Sequence, residues 1–349
     1  MRFDIFFPML LFAVTVVGML LSKKAEPKLK TVVEETEFRN RDVALLVAMI
    51  GVAVSVIVFI PQMAIMAVFL FSYSTLLFTV SYAFSDMPKK RVILFCAANC
   101  IVAAVAGTLG LLGFIPLGLS NYGTLAFAAF AAASLLALLY SMRQSEPKSR
   151  WYVAALSPVL FLLLFVFFNG TPIWYPFLLD IYGLIFAVLI VLYLSSLFTW
   201  KTVIFFAAGL TLMDIILVWV TGAMVETANT VSNLGLPVLV AFPTIPLITI
   251  EGAIAFLRLG LGDFFFAGIL GTQTMKKFGK KTAFLAVATM SVSFGLFELL
   301  LLNPTQIEAL PATLPILLGW VPIVGWKILQ NRKEKKLTMD ELGKNQVEK

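Results

Sequence analysis

Two aspartates stand where acids are rarely placed. Asp214 lies in the apolar run TVIFFAAGLTLMDIILVWVTG, and Asp263 lies in FLRLGLGDFFFAGIL. Each run is long enough, with its flanks, to cross a bilayer. A carboxylate near the middle of a membrane span costs at least ~2.5 kcal/mol on insertion scales, so it needs a partner or a chemical role. Two carboxyls facing each other in low dielectric cannot both ionise cheaply, so one is expected to hold a proton while the other is charged. Such a pair can activate water. The ionised acid takes a proton from water as it attacks a carbonyl carbon, and the protonated acid donates to the developing oxyanion and then to the leaving group. The same two acids could instead serve as proton or cation ligands in a cation-coupled secondary transporter. Depth and spacing alone leave both readings open.

The elements that must position these acids follow from composition. The chain is 60% hydrophobic and only 13% charged, which excludes an ordinary soluble domain, where roughly a quarter of residues are charged. The apolar runs are continuous, without a period of two, so membrane helices are expected and an outer-membrane barrel is not. The fold class read from this pattern is an all-α polytopic membrane protein. The absence of histidine rules out Ser-His-Asp and Cys-His nucleophile arrangements and any histidine-ligated metal site. Cys96 and Cys100, four apart within one span, read as small apolar core residues. No cofactor or metal site is expected.

Eleven candidate spans emerge: 3–21, 43–61, 63–84, 92–118, 124–142, 151–168, 176–199, 202–222, 255–274, 282–303 and 312–329. Only Pro61 and Gln62 separate the second and third, so a tight hairpin is expected there. Basic residues occupy alternate connections. Lys23, Lys24, Lys28, Lys30, Arg39 and Arg41 lie in the first, Lys89, Lys90 and Arg91 in the third. Arg143, Lys148 and Arg150, then Lys201, then Lys276, Lys277, Lys280 and Lys281 continue the series, and Lys327 begins a basic tail. The intervening connections carry no Lys or Arg. All basic segments therefore fall on one side, with the N-terminus outside and the C-terminus cytoplasmic. This distribution accounts for the net charge of +7 by the bilayer, not by nucleic acid. A plasma-membrane location is expected.

With this topology Asp214 lies about 12 residues from the cytoplasmic end of its span, or ~18 Å. Asp263 lies about 8 residues from the outer end of the next, or ~12 Å, the same depth in a ~30 Å core. The long outer segment 223–254 reads as a loop with a short amphipathic helix. Asp180 and Glu298 are shallower and read as interfacial or packing groups.

Gly260-Leu261-Gly262-Asp263 resembles the GxGD signature of the presenilin and signal peptide peptidase family of polytopic intramembrane aspartyl proteases. In that family the first catalytic Asp lies one span before GxGD, the position of Asp214, and a Pro-Ala-Leu motif opens the span two further on. Here Pro311-Ala312-Thr313, followed by Leu314, stands at that place; a register through Ala309-Leu310-Pro311 is the alternative. Two positions depart from the pattern: Met213 replaces the usual Tyr before the first aspartate, and Thr313 replaces Leu. The variation is closest in character to a divergent prokaryotic or archaeal-type homologue.

The resemblance implies a nine-span presenilin-like core over 63–329, two extra N-terminal transmembrane helices and a basic loop in 1–62, and a basic cytoplasmic tail over 330–349. It implies Asp214 and Asp263 as the catalytic pair, with Met213, Gly260, Leu261, Gly262, Pro311, Ala312, Thr313 and Leu314 supporting the active site or substrate. It also implies transmembrane proteins or peptides as substrates, including remnant signal peptides, with single spans of cytoplasmic N-terminus preferred. Substrate unwound near the Pro-Ala-Leu motif would pair with enzyme backbone by strand addition. Residue types fix no oligomeric state.

Overall fold

A computed structural model describes residues 2–33, 37–115, 119–143, 150–250, 253–254, 256–303 and 310–347. Lys148, Glu251, Glu308, Ala309 and Lys349 lie outside the described residues, as do the side chains of Lys335, Lys336 and Lys344. The alternative register through Ala309 is thereby outside them too.

The chain is a bundle of helices: α1 (Phe6–Val33), α2 (Asn40–Val56), α3 (Gln62–Ala83), α4 (Lys89–Leu111), α5 (Ser120–Arg143), α6 (Trp151–Ala154), α7 (Leu156–Phe168), α8 (Leu179–Leu197), α9 (Trp200–Ile215) and α10 (Ala223–Asn233). Four short strands follow, β1 (Leu239–Pro243), β2 (Thr249–Ile250), β3 (Ala253–Ile254) and β4 (Phe256–Gly260), and then α11 (Leu261–Phe278), α12 (Lys280–Leu302) and α13 (Thr313–Val347). Among the described residues nine helical segments are long and apolar enough to cross a membrane. Together they make this an integral multi-pass membrane protein. The two expected spans outside that set are short. α2 has 17 residues and runs into a 3-10 turn at Ile57–Phe59. α11 has 18 and carries Asp263, Lys276 and Lys277.

The expected span 255–274 is corrected in one respect that matters for the site. Its first part is not helical: β4 occupies Phe256–Gly260 and the helix begins at Leu261. The backbone groups of an extended segment at this depth must be satisfied inside the protein. β1 does this, pairing antiparallel with β4 from Leu239↔Gly260 to Pro243↔Phe256. The expected short helix in 223–254 is α10; the rest of that stretch is mostly this ribbon and the β2–β3 hairpin.

Within lipid there is little hydrophobic drive between helices, so close packing and polar contacts hold the bundle. Gly268 of α11 shows the packing side of this, because a Cβ there would overlap the Val191 side chain of α8. The polar contacts sort by end. Glu26 of α1 pairs with Lys276 of α11 at 2.8 Å, Arg150 donates to the Met87 carbonyl at 2.8 Å, and Lys28 pairs with Asp86. These contacts gather the basic ends of α1, α3, α6 and α11 at one end of the bundle. The opposite end holds Asp4, which accepts from the N–H groups of Phe7 (2.9 Å) and Ile245 (2.6 Å), and Trp174, whose indole donates to the Gly235 carbonyl at 2.7 Å.

Candidate active site

The two aspartates are set at matching heights by ordinary helix geometry. Trp200 opens α9 and Phe278 closes α11, and their rings meet edge to face with centroids 5.1 Å apart. Asp214 is 14 residues along from Trp200 and Asp263 is 15 back from Phe278, so both lie ~21–23 Å above that contact. Phe206 packs on Phe265 and Phe266 between the two levels. The two carboxyl groups interact electrostatically.

Asp263 is held by its own helix terminus. Gly260 is the N-cap of α11 and Asp263 the third helical residue. From there its carboxylate lies close against Gly260. The positive end of the helix dipole favours an anion here by ~0.3–1 kcal/mol or somewhat more when shielded. The glycine is needed for approach: a Cβ at Gly260 would sit 3.2 Å from Asp263 Oδ2. At Gly262 the nearest atom to a Cβ is 3.7 Å away on Phe265, an ordinary contact.

Asp214 is held from a distant part of the chain. It stands one residue before the end of α9, where the helix widens into a π turn over Ile216–Val220. Its Oδ2 accepts from the Thr313 hydroxyl at 2.6 Å and from the Thr313 N–H at 3.3 Å. Thr313 opens α13, so its N–H is one of the helix amides that need an outside acceptor. The residue that departs from the Pro-Ala-Leu pattern therefore touches an acid directly. α13 is locked to α11 by Trp320, whose indole donates to Thr274 Oγ1 at 2.8 Å.

The remaining expected support residues divide. Leu261 is buried, and its N–H donates to the Val238 carbonyl at 2.9 Å, closing the ribbon onto the helix start. Pro311 is buried, and its carbonyl accepts from the Leu314 N–H in the first turn of α13. Ala312 lines a small cavity beside β4. Met213 faces away from this assembly. Its side chain lies where a Cβ on Gly51 of α2 would be, 2.7 Å from Sδ. The expectation that it supports the acids is not what the packing shows, because successive residues on a helix point ~100° apart and Asp214 takes the inward direction.

Two features were not legible beforehand. The first is the phase of the β1–β4 ladder. Leu261 N–H bonds Val238, so the alternating pattern makes Val240/Leu259 and Phe242/Leu257 the bonded pairs. Ala241 then points its N–H outward on the β1 side, and Asp180 Oδ1 accepts it at 2.9 Å. On the other side, Phe256, Arg258 and Gly260 aim their backbone groups at the open edge of β4, and Asp263 Oδ2 lies beside Gly260 there. The second feature is Asp180 itself. It is 1% exposed and links α8 to the ribbon, the packing role among the two its position allowed. Only its span position and the missing Lys or Arg nearby could have hinted at this. No protein-family model matches the chain, and no curated protein matches it.

Proposed function

We propose that this protein is an intramembrane aspartyl endopeptidase, similar to the presenilin and signal peptide peptidase family, that hydrolyses peptide bonds within transmembrane helices. The observation that carries the reading is the arrangement of Asp214 and Asp263: equal height on two helices in contact, with Asp214 bound by Thr313 and Asp263 set against Gly260. One carboxylate removes a proton from water as its oxygen bonds to the scissile carbonyl carbon. The other carboxylic acid donates to the carbonyl oxygen. Collapse of the tetrahedral species breaks the C–N bond as the amine gains a proton. Thr313 holds the Asp214 carboxylate by its hydroxyl and N–H, which limits the freedom lost on reaching the transition state.

A helical substrate must be unwound before its carbonyl is open to attack, and the freed backbone needs partners. The open edge of β4 offers them. Among the described residues the Arg258 N–H and carbonyl have no hydrogen bond, and this edge leads within two residues to Gly260, against which Asp263 lies. An added substrate strand would be delivered to the acids by pairing alone. The arrangement of nine core spans over 63–329 with two helices before them, the N-out and C-in orientation in the plasma membrane, and a preference for single spans with cytoplasmic N-termini belong to the same proposal.

The test is cleavage of a single-span substrate by purified protein in liposomes, comparing wild type with Asp214→Asn and Asp263→Asn. Each substitution is expected to lower cleavage by at least about 10³-fold. Undiminished cleavage by either variant would refute the proposal. Substrate-free cation flux through the wild type, abolished by both, would establish the transporter reading in its place.

A further inference from the structure

Beside the open edge of β4 lies a cavity of about 80 Å³. Leu257, Arg258 and Leu259 all line it. Consecutive strand residues point to opposite faces, so a space that touches three in a row lies along the strand's edge and not over one face. Ala312 and Pro315 close it from the start of α13, and Glu298 of α12 enters the otherwise largely apolar lining.

Glu298 is 6% exposed, and its Oε2 is buried with no hydrogen-bond partner. An unmatched buried acceptor of this kind is uncommon in a folded protein and points to a missing partner. The nearby candidates do not supply one. Asp4 is close enough to interact electrostatically, but it accepts from the N–H groups of Phe6, Phe7 and Ile245 and, ionised, has no proton to donate. Arg258 is exposed and forms no ion pair with Glu298 among the described residues.

We propose that this cavity is a subsite for a hydroxyl-bearing substrate side chain, threonine or serine, and that Glu298 is the residue that reads the hydroxyl. The inference rests on the peptidase reading and adds a specificity to it. A strand paired along β4 would run through this edge space, and Glu298 would meet the side chain that flanks it there. The space is small, so a compact side chain is accommodated more easily than an aromatic one. A hydroxyl can both donate and accept, so it pairs with the Glu298 carboxyl in either protonation state. Valine fills the same volume and leaves Oε2 unmatched.

The experiment uses purified full-length protein in liposomes. Single-span substrates carry Thr, Ser, Val or Phe, one at a time, at each position within four residues of the scissile bond. At one position kcat/KM for Thr is expected to exceed that for Val by about tenfold, with Phe poorest. Glu298→Leu is expected to erase the Thr preference while still cleaving the Val substrate. Glu298→Gln, which keeps an acceptor and adds a donor, is expected to retain part of it. Equal cleavage of Thr and Val substrates by wild type at every position overturns the subsite alone, and needs no variant to fold. Failure of wild type to cleave any substrate overturns the peptidase reading and the subsite with it.

Discussion

Asp263 and Asp214 sit at one height on two helices in contact, yet they are fixed by opposite means. Asp263 is positioned by four consecutive residues. Gly260 turns a strand into a helix, and its missing Cβ makes room for the carboxylate. Asp214 is positioned by Thr313, 99 residues away, through a side-chain and a backbone bond from the first turn of α13. A local anchor is formed as soon as its helix forms. A distant one depends on the packing of three helices, so it is the more easily lost when the bundle loosens. The asymmetry also separates variables: the Asp263 anchor can be disturbed without touching α13, and the Asp214 anchor without touching the ribbon.

The largest effect after loss of the acids themselves is expected at Gly260. Gly260→Ala keeps a backbone conformation open to any residue but brings a Cβ against Asp263 Oδ2. The carboxylate must move by a few tenths of an ångström or more, and cleavage should fall about tenfold to a hundredfold. Gly262→Ala, which meets only an ordinary contact, should stay within about twofold; equal losses at both glycines would show that the local anchor is misassigned. Thr313→Val removes the hydroxyl at nearly constant shape. It should lower kcat about 5- to 12-fold, equivalent to ~1–1.5 kcal/mol for one hydrogen bond, and Thr313→Ser should restore most of it. A Thr313→Val protein as active as wild type would leave Asp214 without its distant anchor. The smallest change is expected at Gly51→Ala. Its Cβ would displace only the flexible end of Met213, so thermal stability should shift by under ~1 kcal/mol and cleavage by less than about twofold. A large loss of cleavage there would place Met213 back among the residues that support the acids.

The same asymmetry governs what the sequence discloses. The Gly260–Asp263 spacing is a local rule of helix starts, and it can be read from four letters. Helix lengths and the grouping of basic residues are likewise written in composition, since each span answers to the bilayer by itself. The contact between Thr313 and Asp214 is a tertiary event, and the sequence offered only a motif at a suitable place. β4 was hidden for a different reason. A short apolar run has no periodicity that distinguishes a buried strand from the end of a membrane helix, so FLRLG reads as helix until β1 is seen beside it. Met213 shows the reverse error. Adjacency to an acid in sequence carries no adjacency in space on a helix, and its partner, Gly51, lies in a segment with no chemistry of its own to draw notice.

α1 gives the fold a timetable. It packs against α8, α11 and α12, buries Thr15 and Ser22, and pairs Glu26 with Lys276. Yet more than two hundred residues separate it from the start of α11. At ~5–20 residues per second of synthesis, α1 waits in the bilayer for roughly 10 to 50 s before α11 exists, with Glu26 still without Lys276. The contact that fixes Asp214 comes later still, because Thr313 is made about a hundred residues after it, so the pair of acids is not assembled on a partly synthesised chain.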